Sequence, residues 1–128
     1  VAALRKVGCD FDEERVLDAA ERGDLGVRLG GIRIDLFLPV IDLSRSALDR
    51  RVRVPFGDRE VWVLSAEDVA LFKLIFARTK DFADLERLFA MQRARLDFDY
   101  LERWIAIIFS PGDSRVARFQ SMAQAARL

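Results

Sequence analysis

The residue types that could carry out chemistry are concentrated in the segment SAEDVALFKLIFARTKDFADLERL, which covers residues 65–88. Lys73 is the only polar residue between Val69 and Ala77, and four charged residues follow that run: Arg78, Lys80, Asp81 and Asp84. The cations of such a set can bind a triphosphate, and a nearby carboxylate can act as a base or an orienting group. The same charges could instead form an ion-pair network between two helices. Lys73 could also simply lay its stem along the core and extend its amine to the surface.

Composition excludes several classes of active site. The 128 residues contain no histidine and a single cysteine, Cys9. Serine and cysteine nucleophiles that depend on histidine, imidazole-bound zinc and an internal disulfide are therefore excluded. Any catalysis must use carboxylates and cations, with or without a hard metal ion such as magnesium. Lys plus Arg and Asp plus Glu each total 21, so no net charge attracts the chain to a polyanion.

Hydrophobic periodicity predicts the elements that would position these residues. A helix that begins at Ser65, with an S-x-x-D cap completed by Asp68, carries Lys73. Two hairpins are predicted within residues 26–40 and 51–65, with turns at Gly30-Gly31 and Gly57-Asp58. Further helices are predicted at 1–7, 13–22, 82–92, 98–109 and 114–128, and a short helix or irregular crossover in DLSRSALDRR. The fold class is α+β, with a small mixed or antiparallel sheet in a domain at 1–64 and a helical module at 65–128.

Several burial predictions follow from the same patterns. Asp35 lies among apolar residues of the second strand, which we expect to be buried on at least one face and central to the sheet. The helix at 13–22 should turn Val16, Leu17 and Ala20 inward. A phenylalanine-rich set belongs to the core rather than to a base-stacking surface: Phe72, Phe76, Phe82 and Phe89.

The charged segment resembles part of the nucleotidyltransferase-fold proteins of the AbiEii-type toxin group and their minimal bacterial relatives, which share the DNA polymerase beta-like fold. The matching positions are Glu67, Lys73, Arg78, Lys80, Asp81 and Asp84. GGIRIDLFLP resembles a later strand of that fold, in which a single aspartate helps to hold the metal, and this places Asp35 in that role. The resemblance covers roughly Leu4 to Leu88.

The resemblance implies an activity and roles for these residues. The protein would transfer a nucleoside monophosphate from an NTP to a hydroxyl of RNA, protein or a small molecule. Asp35 would hold Mg²⁺, Lys73 would contact phosphate together with Arg78 and Lys80, and Asp84 would assist with Asp81 beside it. The alternative is a non-catalytic binding module of this fold, or a toxin-antitoxin component.

One part of the family pattern does not match. The family has a Gly-Ser or Gly-Gly-Thr turn followed by a strand with Asp-x-Asp, whose two carboxylates point the same way and can hold magnesium. Asp10-Phe11-Asp12 stands beside a helix start instead, and is either a helix-capping turn or a metal-binding pair. The chain begins at Val1 within a helical pattern, so we expect the family's turn and Asp-x-Asp strand to precede it. We expect little or no transfer activity from these 128 residues.

The remaining expectations concern partners and location. Arginines that could form a basic surface for RNA, or lie on exposed hairpin faces, are Arg45, Arg50, Arg51, Arg53 and Arg59. No apolar run reaches the ~20 residues of a membrane helix, so we expect no membrane partner. A cytoplasmic protein is expected, with a nucleotide, and RNA or a partner protein, as ligands. An unpaired sheet edge also makes a homodimer plausible.

Overall fold

The computed structural model describes residues 1–127, and the fold is α+β. The chain forms two compact units, Val1–Asp49 and Arg50–Leu128. The second hairpin thus belongs to the same unit as the C-terminal helices. The sequence-based division into a domain at 1–64 and a module at 65–128 remains a prediction about domain organisation.

The first unit contains three helices and one hairpin. The elements are α1 Ala2–Lys6, α2 Glu14–Arg22, β1 Asp24–Leu29, β2 Ile32–Phe37 and α3 Asp42–Asp49. Gly23 has a φ angle of 88° and ends α2 in the left-handed conformation that helix C-termini favour. Gly30 and Gly31 both have positive φ angles, as the predicted tight hairpin turn requires. Of the two alternatives for DLSRSALDRR, a short helix or an irregular crossover, the structure shows the short helix, α3.

The strands β1 and β2 form an antiparallel pair in which Gly26 lies opposite Asp35 and Arg28 lies opposite Arg33. Asp10 adds a single bridge to the outer edge of β1, because its N–H and C=O each bond to the backbone of Arg28 at 2.8 Å. The Asp12 side chain accepts a hydrogen bond from the Glu14 N–H at 3.0 Å, which supports the helix-capping interpretation.

Two burial predictions in this unit are wrong. In α2 the buried residue is Ala19, whereas Leu17 is 79% exposed and Ala20 is exposed, because the inward face follows the spacing from Val16 to Ala19. The sheet that contains Asp35 has only two strands, so β2 is not central. The Asp35 side chain is half exposed rather than buried, because it projects from the face of β2 that also carries exposed Arg33 and Phe37.

The second unit joins a hairpin to a set of helices. Its elements are β3 Val52–Phe56, β4 Arg59–Val63, α4 Ala66–Phe76, α5 Thr79–Gln92, a 3₁₀ helix Arg93–Arg95, α6 Phe98–Ile108 and α7 Ser114–Arg127. The Ser65 Oγ accepts from the Asp68 N–H, which confirms the predicted cap of α4. Asp97 caps α6 in the same way, by accepting from the N–H of Tyr100 at 2.9 Å.

The core of the second unit comes from one face of each long helix. The fully buried leucines are Leu71 and Leu74 on α4, Leu85 on α5 and Leu101 on α6. Each contributes roughly 1.5–3 kcal/mol through removal of its side chain from water. Phe82 and Phe89 are buried as predicted, and Phe72 is partly buried. Phe76 is 46% exposed, so its assignment to the core is wrong, because it is the last residue of α4 and lies where the helix leaves the core.

Candidate functional site

The predicted charged residues are positioned by the junction of α4 and α5. Ala77, which has a left-handed φ of 51°, caps the C-terminus of α4, and Arg78 caps the N-terminus of α5. This reversal is short enough to place the last turn of α4 beside the first turn of α5. Lys73 on α4 and Asp81 and Asp84 on α5 consequently come together, as their spacing in the sequence suggested.

Lys73 makes two ion pairs to α5. Its Nζ lies 2.5 Å from Asp84 Oδ2 and 3.4 Å from Asp81 Oδ1. The Lys73 side chain is 28% exposed and that of Asp84 is 42% exposed, whereas Asp81 is completely buried. The ion-pair network between two helices is therefore present, and its amine and outer carboxylate remain in contact with solvent.

Asp81 holds the start of α5 through Arg78. One carboxylate oxygen, Oδ2, accepts from both the backbone N–H of Arg78 at 3.1 Å and its Nε at 2.6 Å. The other oxygen, Oδ1, accepts from Arg78 Nη2 at 3.2 Å and from Lys73 Nζ at 3.4 Å. This arrangement is a capping box, with Asp81 at the third position of the helix, and it satisfies a backbone donor that the helix itself leaves unpaired.

The protonation states of the cluster are fixed by these contacts. The hydrogen bond to Asp84 raises the pKa of Lys73, so the amine is charged at neutral pH. The Arg78 side chain lowers the pKa of Asp81 to about 2. The pKa of Asp84 is also lowered, chiefly by its hydrogen bond to Lys73. Both carboxylates are thus ionised and are weak proton acceptors.

The other two predicted site residues, Lys80 and Asp35, are both exposed to solvent. Lys80 is exposed on the first turn of α5. Asp35 belongs to the first compact unit, where its Oδ1 accepts from Arg33 Nε at 2.8 Å. Among residues 1–127, no three carboxylate or thiol side chains are grouped as a metal would require. Asp35 therefore offers one half-exposed carboxylate, already paired with a guanidinium.

A buried polar network in the second unit was not predicted. Asp68 is fully buried and accepts from Tyr100 Oη and from Ser65 Oγ, both at 2.6 Å. The Arg50 guanidinium lies 3.7 Å from the centre of the Tyr100 ring, and its Nε is 3.5 Å from Asp68 Oδ2. Glu67 extends this network, because it pairs with Arg50 and accepts from the Asp97 N–H at 2.9 Å.

The network joins the first turn of α4 to α6, and α4 is the helix that carries the candidate site. Asp68 lies in the first turn of α4, the helix that carries Lys73, and Tyr100 lies on α6. The sequence marked Asp68 as a cap and Glu67 as a family position, but nothing in it links these residues to a tyrosine about thirty positions later.

The arginines considered for a basic surface belong to both compact units and have different surroundings. Arg50 faces the interior network, so its assignment to that surface is wrong. Arg51 and Arg53 lie 4.7 and 4.9 Å from the Trp62 ring centre on the β3–β4 hairpin, and Arg59 is exposed near its turn. Arg45 pairs with Asp42 on α3 at 2.7 Å. These contacts are those expected of arginines on exposed faces of hairpins and helices.

None of the helices in residues 1–127 combines the length and apolar composition needed to cross a bilayer. Comparison of the chain with models of known protein families, with curated proteins and with solved structures finds no match.

Proposed function

We propose that this chain is a nucleotidyltransferase-like protein of the cytoplasm, which in its active form transfers a nucleoside monophosphate from an NTP to a hydroxyl acceptor. The observation that supports this function is the Lys73–Asp84 pair beside Asp81 and Arg78. The Lys73 ammonium group is oriented by two carboxylates and is still accessible to solvent. The sequence resemblance assigns a phosphate contact to that same lysine.

Lys73 would contribute by contacting a phosphate oxygen. Its ammonium group has three donors, and the two ion pairs to α5 fix its direction. In the transfer, the acceptor oxygen forms a bond to the α-phosphorus while the bond from that phosphorus to the bridging oxygen breaks. Pyrophosphate leaves with the bonding electrons, and the hydroxyl proton is released to solvent. A cation at the phosphates stabilises the charge that develops on the leaving group.

Asp84 would orient Lys73 rather than act as a base. A carboxylate whose pKa is lowered by an adjacent ammonium is a poor proton acceptor at neutral pH. Its partial exposure would let an incoming phosphate compete for the amine, while buried Asp81 keeps its contacts. Removal of the Asp84 carboxylate should then affect the position of the lysine more than the pH dependence of a reaction.

Magnesium enters this proposal only as a requirement of the nucleotide. Proteins often bind Mg²⁺ through one or two carboxylates together with substrate phosphates. Asp35 supplies one such carboxylate, but it is paired with Arg33. No group of three carboxylate or thiol side chains suited to a metal is present within residues 1–127. A single paired carboxylate in the first unit is by itself too few ligands to hold Mg²⁺.

One observation favours a second candidate function, a non-catalytic binding module or toxin-antitoxin component of the same fold. Lys73 and Arg78 are both already neutralised by carboxylates of α5. A site whose cations are all paired can serve stability alone, and in that case the chain would bind a partner protein through other surfaces.

Nucleotide binding and transfer can be measured separately on the same protein. Isothermal titration with each NTP in the presence of Mg²⁺ would report binding, and incorporation of an α-³²P-labelled nucleotide would report transfer. Lys73→Met should abolish the NTP binding that requires Mg²⁺, whereas Lys6→Met, which removes an exposed lysine of α1, should not.

The two assays decide between the candidate functions. NTP binding that requires Lys73 supports the nucleotidyltransferase-like site, even if the 128-residue chain incorporates little label. Absence of binding for every NTP, with a folded protein, would favour the non-catalytic module. Robust incorporation that is lost in Asp35→Ala would contradict the expectation of low activity, and would establish Asp35 as a functional residue.

A further inference from the structure

The first compact unit contains a groove lined by arginines. The groove has a volume of about 360 Å³ and runs along the outer edge of β1, between that strand and α2. Arg15 and Arg22 come from α2, Arg28 from β1 and Arg33 from β2. A volume above roughly 300 Å³ is in the range of small-molecule sites. Four guanidinium groups around one such groove favour an anionic ligand.

The hairpin register adds a second observation that points to an anion. Arg28 and Arg33 are direct partners across the antiparallel pair, so their side chains emerge side by side from one face. Like charges in directly opposed positions destabilise a sheet. Arg33 Nε donates to Asp35 Oδ1 at 2.8 Å, which relieves part of this repulsion. Arg28 Nη1 donates instead to the carbonyl of Gly31 at 3.1 Å. An oxyanion between the two guanidinium groups would add charge-assisted contacts to their remaining N–H donors, and guanidinium groups match phosphate geometry in particular.

Gly26 leaves room beside these arginines. It lines the groove, lies two residues before Arg28 on the same strand and has no side chain, although Asp35 Oδ1 lies 3.6 Å from the position that a Cβ would take. Backbone amides alternate in direction along a strand. Because the Arg28 N–H points outward to Asp10, the Gly26 N–H points to that same outer side, where the groove lies. A ligand oxygen there could accept from the backbone as well.

Three aspartates also line the groove, and they oppose an anion. Asp12 is 3.4 Å from Arg15 and Asp24 is 3.8 Å from Arg22, with all four side chains more than half exposed. Both distances exceed the ~2.7–2.9 Å of strong charge-assisted bonds, and exposed pairs of this kind are weak. Asp10 takes part through its backbone. Arg15 and Arg22 therefore remain able to exchange these partners for phosphate oxygens, and Arg33 has N–H donors other than the Nε that binds Asp35.

From these observations we infer that this groove binds the phosphate chain of a polyphosphate ligand, such as the triphosphate of a nucleotide. It is a site in addition to the Lys73 cluster and does not require that the protein transfer nucleotides. It also gives Asp10 and Asp12 a role opposite to that of metal ligands: their charge limits the affinity for the anion.

Calorimetric titration of the whole chain with inorganic tripolyphosphate, in EDTA and at low salt, tests this inference. The wild-type protein should bind, and adenosine, which lacks phosphate, should not. Binding of ATP with the affinity of tripolyphosphate would show that the phosphate chain alone is recognised. Much tighter binding of ATP would show that the base adds contacts. Either result supports the groove only if the arginine variants below weaken it.

Matched variants identify the residues responsible. Arg28→Gln and Arg33→Gln should each weaken binding about tenfold, since each removes a charge-assisted contact. The control Arg45→Gln removes an arginine of the same unit that does not line the groove, and it should leave the affinity unchanged. Asp12→Asn should strengthen binding, because it removes an opposing charge.

Three results would overturn the inference. The first is that a folded wild-type chain does not bind tripolyphosphate. The second is that the wild type and both arginine variants bind it with equal affinity. The third is that binding requires Mg²⁺ and is lost in Asp12→Asn. The last result would assign the aspartates to a metal instead. Circular dichroism of each variant checks that the fold is kept, and Arg33→Gln provides the test if Arg28→Gln fails to fold. The arginine variants do not bear on the Lys73 cluster, whose test is Lys73→Met.

Discussion

Removal of the Tyr100 hydroxyl should destabilise the second unit by about 2 kcal/mol. The hydroxyl donates to Asp68 at 2.6 Å, and Asp68 is fully buried while Tyr100 is only 6% exposed. Tyr100→Phe deletes one oxygen and keeps the ring that contacts the Arg50 guanidinium and the edge of Trp104. Loss of a hydrogen bond to a carboxylate, with the acceptor left in a dry site, typically costs about 1.5–3 kcal/mol.

Urea unfolding followed by circular dichroism and tryptophan fluorescence would measure this loss. The midpoint should fall with little change in slope, because the surface exposed on unfolding is almost the same in both proteins. Thermal unfolding should shift downward by about 8–16 °C, because each kcal/mol corresponds to about 4–8 °C for a folding unit of under a hundred residues. Coincidence of the two optical probes would justify the two-state treatment.

A double-mutant cycle with Asp68→Asn would show that the cost belongs to this contact. If Tyr100 acts through Asp68, the second substitution should cost less in the presence of the first, with a coupling energy of about 0.5–3 kcal/mol. A change below about 0.5 kcal/mol for Tyr100→Phe, which is typical of surface sites, would refute the interpretation. A purely additive cycle would also refute it and would leave the tyrosine as a packing residue only.

Three further predictions concern the helices that form the candidate site. Leu71→Ala should lose about 2–5 kcal/mol, because the side chain is fully buried and its removal leaves a cavity; a chemical unfolding curve would test this. Ala77→Gly should gain up to about 1 kcal/mol in the same assay, since Ala77 has a left-handed φ of 51° that glycine adopts without strain, and a loss would contradict that view. The Asp81 pKa of about 2 lies below its usual 3.8, so its ion pairs stabilise the fold fully above pH 4 and lose that effect as the pH falls towards 2. The stability gap between the wild type and Asp81→Asn should therefore close across that interval, and a gap that stays constant would exclude ionised Asp81 as its source.

Local patterns in the sequence predicted most elements of the fold. The glycine pair at 30 and 31 predicted the first hairpin because a tight turn needs positive φ angles at both positions. Ser65 and Asp97 predicted the starts of α4 and α6 because each side chain caps a helix that begins directly after it. In these cases the physical cause lies within a few residues of its effect.

The errors arose where burial depends on a neighbour that the sequence does not specify. The alternation around Asp35 predicted a central strand, but alternation alone does not tell how many strands flank it. Leu17 is apolar and lies on α2, yet only the face that contains Ala19 is covered. Arg50 looked like a surface arginine because its partners Asp68 and Tyr100 are distant in the sequence.

Burial separates the charged cluster at the α4–α5 junction into two parts with different roles. Asp81 is completely buried, binds the backbone and side chain of Arg78 and begins α5, which is sufficient reason for its presence. Asp84 is half-buried and pairs with the amine of Lys73. A partly exposed ion pair of this kind contributes little to stability. A ligand phosphate could therefore take the place of Asp84 at Lys73 without unfolding the helix junction, but could not displace Asp81. If the cluster binds nucleotides, Lys73 and Asp84 are the residues that respond to the ligand, and Asp81 is the residue that holds them in place.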